Sequence, residues 1–152
     1  MRSNSSTVHP MASAGDGAVE GLLYGLVAGV IMLAYLVLIS LVLQSGPLKL
    51  LDMVAGGLDV APLLVIVGHF ALAALYGLVW GMLCYLLLAR VSLPFWLWGL
   101  LYGALLWAVS ALLLPAGLDV PVIYGGGAHL LFGLSLGLLT GAKAASGKAQ
   151  SG

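Results

Sequence analysis

The stretch Pro62–Ala89, PLLVIVGHFALAALYGLVWGMLCYLLLA, contains no Asp, Glu, Lys or Arg. As an α-helix it would be roughly 40 Å long, and the hydrocarbon core of a bilayer is ~30 Å thick. Its apolar residues run without a break, whereas the strands of a membrane β-barrel alternate apolar and polar residues. The stretch therefore predicts a transmembrane helix that is long enough to tilt or to protrude.

Three more stretches have the same character, at about 18–43, 93–114 and 121–142. Their one acidic or basic residue is Glu20, at the mouth of the first stretch. Hydrophobic residues make up 62% of the 152-residue chain and charged residues 7%, against roughly 45–50% and about 25% in soluble domains. So few charged residues cannot cover the surface of a soluble domain. We therefore expect an all-α membrane protein with four transmembrane helices surrounded by the lipid bilayer.

The ends of the chain are polar and rich in small residues. We expect residues 1–17 to form a disordered cytoplasmic tail, 18–142 the four-helix transmembrane domain and 143–152 a second cytoplasmic tail. Cytoplasmic segments carry an excess of Lys and Arg. One side of the membrane would hold only Lys49, and the other Arg2, Arg90, Lys143 and Lys148. Both termini are therefore predicted to be cytoplasmic.

The net charge is zero and the sequence has no basic run, which argues against nucleic acid as a partner.

The chain contains an internal duplication. Two motifs occur twice, Gly-Leu-Leu-Tyr-Gly at 21–25 and 99–103 and Leu-Asp-Val at 58–60 and 118–120. A histidine follows each Leu-Asp-Val at the same spacing, His69 in the second stretch and His129 in the fourth. We expect one helix-pair repeat at about 18–90 and another at about 93–142. Both would insert the same way up and be related by a pseudo-two-fold axis along the membrane normal.

Small residues recur at every fourth position of three predicted helices. Residues four apart share a helix face, and such stripes let helix backbones approach closely. We interpret them as a glycine zipper; the same smooth faces could instead leave room for a flat ligand or a neighbouring subunit. The predicted packing residues are Gly21, Gly25, Gly29, Gly77, Gly81, Gly133, Gly137 and Gly141.

His69 and His129 are the candidate cofactor-binding residues, because ionisable residues inside a membrane helix are often functional. They could be neutral and hydrogen-bonded across a helix interface, with the nearest candidate hydroxyls on Tyr76, Ser110 and Tyr124. Alternatively, two imidazoles at equal depth could ligate one haem b iron. Otherwise the sequence predicts no cofactor and no metal site.

Asp59 and Asp119 admit two interpretations. With the histidines below them, they could belong to a proton or cation path, since histidine titrates near neutral pH. Each also stands just before a predicted helix that opens at Pro62 or Pro121. Asp caps the free amides of a first turn and Pro tolerates the first helical position, so both acids are predicted to be helix N-caps.

Enzyme signatures are missing from the sequence. It has no nucleophile elbow, phosphate-binding loop, HExxH motif or cluster of paired carboxylates. The single Cys84 permits neither an intramolecular disulfide nor a cysteine metal cluster. We therefore expect a protein that is not an enzyme.

Several segments in the second to fourth helices resemble the YagU-like small bacterial inner-membrane proteins. They are the run from His69 to Tyr76, Trp98-Gly-Leu-Leu-Tyr-Gly-Ala104, Pro115-Ala-Gly-Leu118 and Ala128-His-Leu130. The resemblance implies a multi-pass protein of the bacterial cytoplasmic membrane and adds little about mechanism.

Taken together, the patterns favour a structural or accessory membrane component that packs against partner membrane subunits or a second copy of itself. Short loops and glycine stripes suit such a role. One alternative is a small transport or proton-conducting protein, and a second is a bis-histidine haem b subunit.

Overall fold

A computed structural model describes residues 13–43, 54–55, 61–86, 93–113 and 122–150. Nearly all of these residues are helical, and each long helix is long and apolar enough to cross a membrane. The expectation of four helices with this character is confirmed, as for a multi-pass membrane protein. The described residues form α1 (Ala14–Val42), α2 (Pro62–Leu86), α3 (Phe95–Leu113) and α4 (Val122–Gln150).

α1 begins at Ala14, within the segment expected to be a disordered tail. Ser13 is its N-cap, and the Ser13 hydroxyl oxygen accepts a hydrogen bond from the Asp16 amide at 3.1 Å. The Asp16 carboxylate lies in the first turn, where a negative charge is favourable beside the helix dipole. A capped first turn thus extends the helix before the apolar stretch starts.

α4 runs on to Gln150, past the expected end of the last apolar stretch at Ala142. The added residues include several Ala together with Lys and Gln, which are good helix formers, and no Pro. Continuing an existing helix costs much less than starting one. The predicted C-terminal tail is therefore helical along most of its length.

α2 begins at Pro62, as the sequence predicts for a proline in a first turn. The carbonyl of the preceding residue, Ala61, accepts hydrogen bonds from the amides of Leu64 and Val65. Asp59 and Asp119 lie outside the described residues, and their capping role stays a prediction.

α1 and α2 are in backbone contact along what we call the first seam, Gly21, Gly25, Gly77 and Gly81. A Cβ added at Gly21 would lie 2.8 Å from the Cα of Gly81, and one added at Gly77 would lie 2.5 Å from the Cα of Gly25. Real Cβ atoms do not come that close, so only glycine permits this approach.

α3 and α4 meet along a second seam, Gly99, Gly103, Gly133 and Gly137. A Cβ added at Gly133 would lie 2.7 Å from the amide nitrogen of Gly103. Gly99 and Gly103 were absent from the predicted packing set. Two predicted members face side chains rather than backbone: a Cβ at Gly29 would lie 2.8 Å from the Cβ of Ala73, and one at Gly141 would lie 3.7 Å from the Phe95 side chain.

The two seams make equivalent contacts, although in a different register from the sequence motifs. Gly77 and Gly133 each face the two seam glycines of the neighbouring helix. The sequence match aligns His69 with His129. The seam contacts are shifted from that alignment by one helical turn. A Cβ at Gly25 would meet the carbonyl oxygen of Ala73, and a Cβ at the matching Gly103 would meet the carbonyl oxygen of His129. Close approach of two helix backbones requires glycine at the contact, and it does not depend on the spacing of the histidines.

The helix pairs are joined through larger side chains. α1 packs along α4, where a Cβ at Gly127 would touch the Tyr35 hydroxyl. α2 meets α3 through the Tyr102 hydroxyl, which donates to the Tyr76 carbonyl at 2.8 Å, and α2 meets α4 through Trp80. Large aromatic side chains thus fill the space between two glycine-packed pairs.

Between their polar ends, the four helices have a mostly apolar outer surface. Leu63 of α2 is 74% exposed and Leu112 of α3 is 79% exposed. Many other exposed residues are Leu, Val and Ile, whereas water-soluble helices carry charged residues on the face opposite the core. This surface matches a hydrocarbon environment.

Candidate functional site

A cavity of about 400 Å³ lies within one half of the bundle. It is lined by the C-terminal halves of α1 and α3 and the N-terminal halves of α2 and α4, and it contains both His69 and His129. Most of the other lining residues are Leu, Val, Ala, Met and Phe. The structure therefore brings the two predicted histidines to one apolar chamber.

His129 is held by two hydrogen bonds. Its Nδ1 lies 2.8 Å from the carbonyl oxygen of Gly125, one turn earlier in α4. A carbonyl can only accept, so Nδ1 carries the proton and donates. Nε2 of the neutral ring is then the acceptor, and the Ser110 hydroxyl of α3 donates to it at 3.2 Å. Ser110 is one of the three hydroxyls that the sequence offered as a partner.

His69 has the opposite proton arrangement. Its Nε2 lies 3.0 Å from the carbonyl oxygen of Gly29 in α1, so Nε2 carries the proton and donates. In the neutral form of the ring, Nδ1 then keeps a lone pair. Gly29 lies beside the ring, since an added Cβ there would be in van der Waals contact with Nε2 at 3.8 Å. His69 thus ties α2 to α1, while His129 ties α4 to α3.

Two tyrosines complete the polar lining, Tyr76 of α2 and Tyr124 of α4. A phenolic hydroxyl can both donate and accept. The main chain of Tyr76 also receives the Tyr102 hydroxyl, which fixes this turn of α2 against α3. The cavity therefore offers ring nitrogens and hydroxyls set into apolar walls.

Beyond the cavity, toward the end of the bundle where α1 begins and α4 ends, lies a packed layer of buried side chains. Trp80 is 1% exposed, Leu136 is 0% exposed and Cys84 is buried beside them. The Trp80 indole nitrogen donates to the Thr140 hydroxyl at 3.0 Å, and Thr140 donates to the Leu136 carbonyl. Beyond this layer, Lys143 of α4 and Glu20 of α1 form an ion pair.

The described residues do not fit a bis-histidine haem as they stand. Iron would need one ring nitrogen from each histidine, yet both nitrogens of His129 are already in hydrogen bonds. A 150 Å³ cavity holds one benzene, so 400 Å³ accepts fewer than three such rings, whereas a porphyrin has four pyrroles. The arrangement favours a hydrogen-bonded histidine pair.

Sequence reasoning identified the two histidines and Ser110 but not the carbonyls of Gly29 and Gly125. Backbone carbonyls leave no mark in a sequence, and each becomes an acceptor here only through the placement of a ring. Asp59 and Asp119 lie outside the described residues, so a path from them to the histidines stays a prediction.

Comparison with known proteins gave a negative result. No protein-family model, no curated protein and no solved structure matches this chain.

Proposed function

We propose that this chain is a structural or accessory component of the bacterial cytoplasmic membrane, without catalytic activity of its own. It would pack against partner membrane subunits or a second copy of itself, with both termini in the cytoplasm. The observation that carries the proposal is the packed layer of Trp80, Leu136 and Cys84. This layer ends the cavity inside the bundle, so the described residues do not line a polar route from one end to the other.

The polar groups of the helices support the same conclusion. Thr140 and Ser135 donate to carbonyls of their own helix, and Trp80 and Tyr102 bond across helices inside the bundle. The outward surface is left almost wholly apolar. Helix packing within the bilayer is the mode of recognition that such a surface offers.

We further propose that α1–α2 and α3–α4 are two copies of one helix-pair unit inserted in the same direction. Support comes from the two seams, in which Gly21 and Gly99, and likewise Gly77 and Gly133, contact corresponding atoms of the facing helix. A shared crossing geometry is expected of duplicated units. Each seam is closed within its own pair, so partners would bind to the outer faces of the helices.

A photo-crosslinking residue on an outer face tests the accessory role in living cells. Leu105 is 59% exposed and the adjacent Leu106 is 8% exposed, which gives a matched pair on α3. The same pair exists on α1, where Val27 is 48% exposed and Ala28 is 0% exposed. We expect protein adducts of defined mass from the exposed positions and none from the buried ones. Adducts to lipid alone, from every exposed position, would refute the accessory role.

Transport or proton conduction is the second candidate, and the histidine-lined cavity favours it. Conduction requires a route past Trp80, which is fully enclosed. Proteoliposomes containing the purified chain and a pH-sensitive dye inside would report such a route. We expect no proton flux above that of empty liposomes. Flux that disappears in a His69→Phe variant would make conduction the better assignment.

A further inference from the structure

The cavity between the four helices has the size and lining of a ligand site. Its volume is about 400 Å³, within the ~300–1,000 Å³ range of small-molecule pockets. At the packing of benzene in a 150 Å³ cavity, this volume accommodates about 16 non-hydrogen atoms. Gly68 adds open space, because a Cβ built there would have no neighbour within 4 Å.

The polar groups of the lining are biased toward accepting hydrogen bonds. The Nε2 proton of His69 is committed to Gly29, so Nδ1 is an acceptor in the neutral form of the ring. Ser110 donates its proton to His129 and keeps lone pairs on its oxygen. The tyrosine hydroxyls can adapt to either role. A complementary ligand therefore carries a hydrogen-bond donor.

The described lining residues include no Asp, Glu, Lys or Arg. An ion placed in such a chamber would lose its hydration without gaining a counter-charge, which is strongly unfavourable. The complementary ligand is therefore neutral. An alcohol or a phenol is the simplest neutral donor attached to an apolar body.

We infer that this cavity is a binding site for a small, neutral, mostly apolar alcohol or phenol, with the donor hydroxyl directed to His69 or Ser110. The site is independent of the accessory role proposed above. It requires only that the bundle keeps this cavity.

The test compares thymol with p-cymene, which has the same hydrocarbon skeleton and no hydroxyl. The full chain is placed in nanodiscs, and free ligand is measured by equilibrium dialysis against empty nanodiscs. We expect saturable binding of both compounds, with thymol bound about 3- to 10-fold more tightly, as one net hydrogen bond contributes. In a His69→Phe, Ser110→Ala, His129→Phe triple variant the preference should fall to about onefold, because the third change removes the His129 Nε2 acceptor that Ser110→Ala alone would free.

Two glycine substitutions locate the site. Gly68→Leu places a side chain in the cavity, whereas Gly147→Leu places the same side chain at an exposed position of α4 with equally open surroundings. We expect Gly68→Leu to weaken thymol binding by at least about tenfold, because the filled volume excludes the ligand. Gly147→Leu should bind like the unchanged protein.

Three outcomes would overturn the inference. They are thymol and p-cymene binding with equal affinity, unchanged binding in Gly68→Leu, and no saturable binding beyond the empty nanodiscs. Far-ultraviolet circular dichroism of each variant establishes that the helices are intact. If Gly68→Leu does not fold, the triple variant retains the test of the preference for thymol.

Discussion

Replacing Gly77 by alanine should separate α1 from α2. The new Cβ would overlap the carbonyl oxygen of Gly21 and would lie 2.5 Å from the Cα of Gly25. Carbon atoms in contact prefer 3.5–4.0 Å, so the helices must move apart by about 1 Å. The obstacle is backbone on both sides, and no flexible side chain can give way.

The magnitude follows from the lost dispersion contacts. A gap of 0.5–1 Å forfeits a quarter to a half of each contact, and a set of ~50 atom pairs contributes ~0.15 kcal/mol per pair. The full loss is about 2–4 kcal/mol, and partial relaxation brings it toward the ~1–3 kcal/mol usual for overpacking. We expect Gly77→Ala to lower the free energy of unfolding by about 2 kcal/mol relative to its control.

The control is Gly68→Ala on the same helix, where an added Cβ has no neighbour within 4 Å. Both changes gain the same helix propensity of up to ~1 kcal/mol, so the difference between them isolates the seam. Equilibrium unfolding of the detergent-solubilised chain in SDS, followed by circular dichroism and by tryptophan emission, measures that difference. Free energies within about 0.5 kcal/mol of each other would refute the steric argument.

Four further predictions rest on other parts of the molecule. Relative to Gly147→Ala, Gly133→Ala should lower the free energy of unfolding by as much as Gly77→Ala does relative to Gly68→Ala. A difference less than half as large would contradict the equivalence of the two seams. Thr140→Val should cost about 1 kcal/mol of unfolding free energy by leaving a buried indole N–H unpaired, and Thr140→Ser should restore it. A cysteine within residues 45–57, in a Cys84→Ser background, should react with an impermeant thiol reagent from outside intact cells, and one in either tail should not. His129→Gln should lower the melting temperature little, and purified protein should lack Soret absorbance with or without dithionite; a Soret band lost in this variant would establish haem.

The sequence alone determined that four helices form and which stretches supply them. Transmembrane character is a local property, since about 20 consecutive apolar residues satisfy the bilayer whatever their neighbours do. The boundaries were less certain. Ser13 extends α1 and the Ala-rich C-terminus extends α4, because capping and helix propagation act outside the apolar stretch.

The tertiary structure alone decided which residues meet. The glycine stripes predicted close packing, but not that Gly77 would correspond to Gly133 rather than to the glycine that the Asp and His motifs align with it. Several registers of a stripe with a four-residue period place glycine opposite glycine, and they differ by one helical turn. Contacts elsewhere along the helices therefore determine which of these registers forms.

The candidate site shows the same division. The rarity of histidine in an apolar helix singled out His69 and His129 from the sequence. Their chemistry depends on partners from other turns and helices, the carbonyls of Gly29 and Gly125 and the hydroxyl of Ser110. These partners assign the proton to Nε2 in one ring and to Nδ1 in the other. A sequence cannot carry that information, because every residue has a carbonyl and only the packed helices decide which carbonyl a ring reaches.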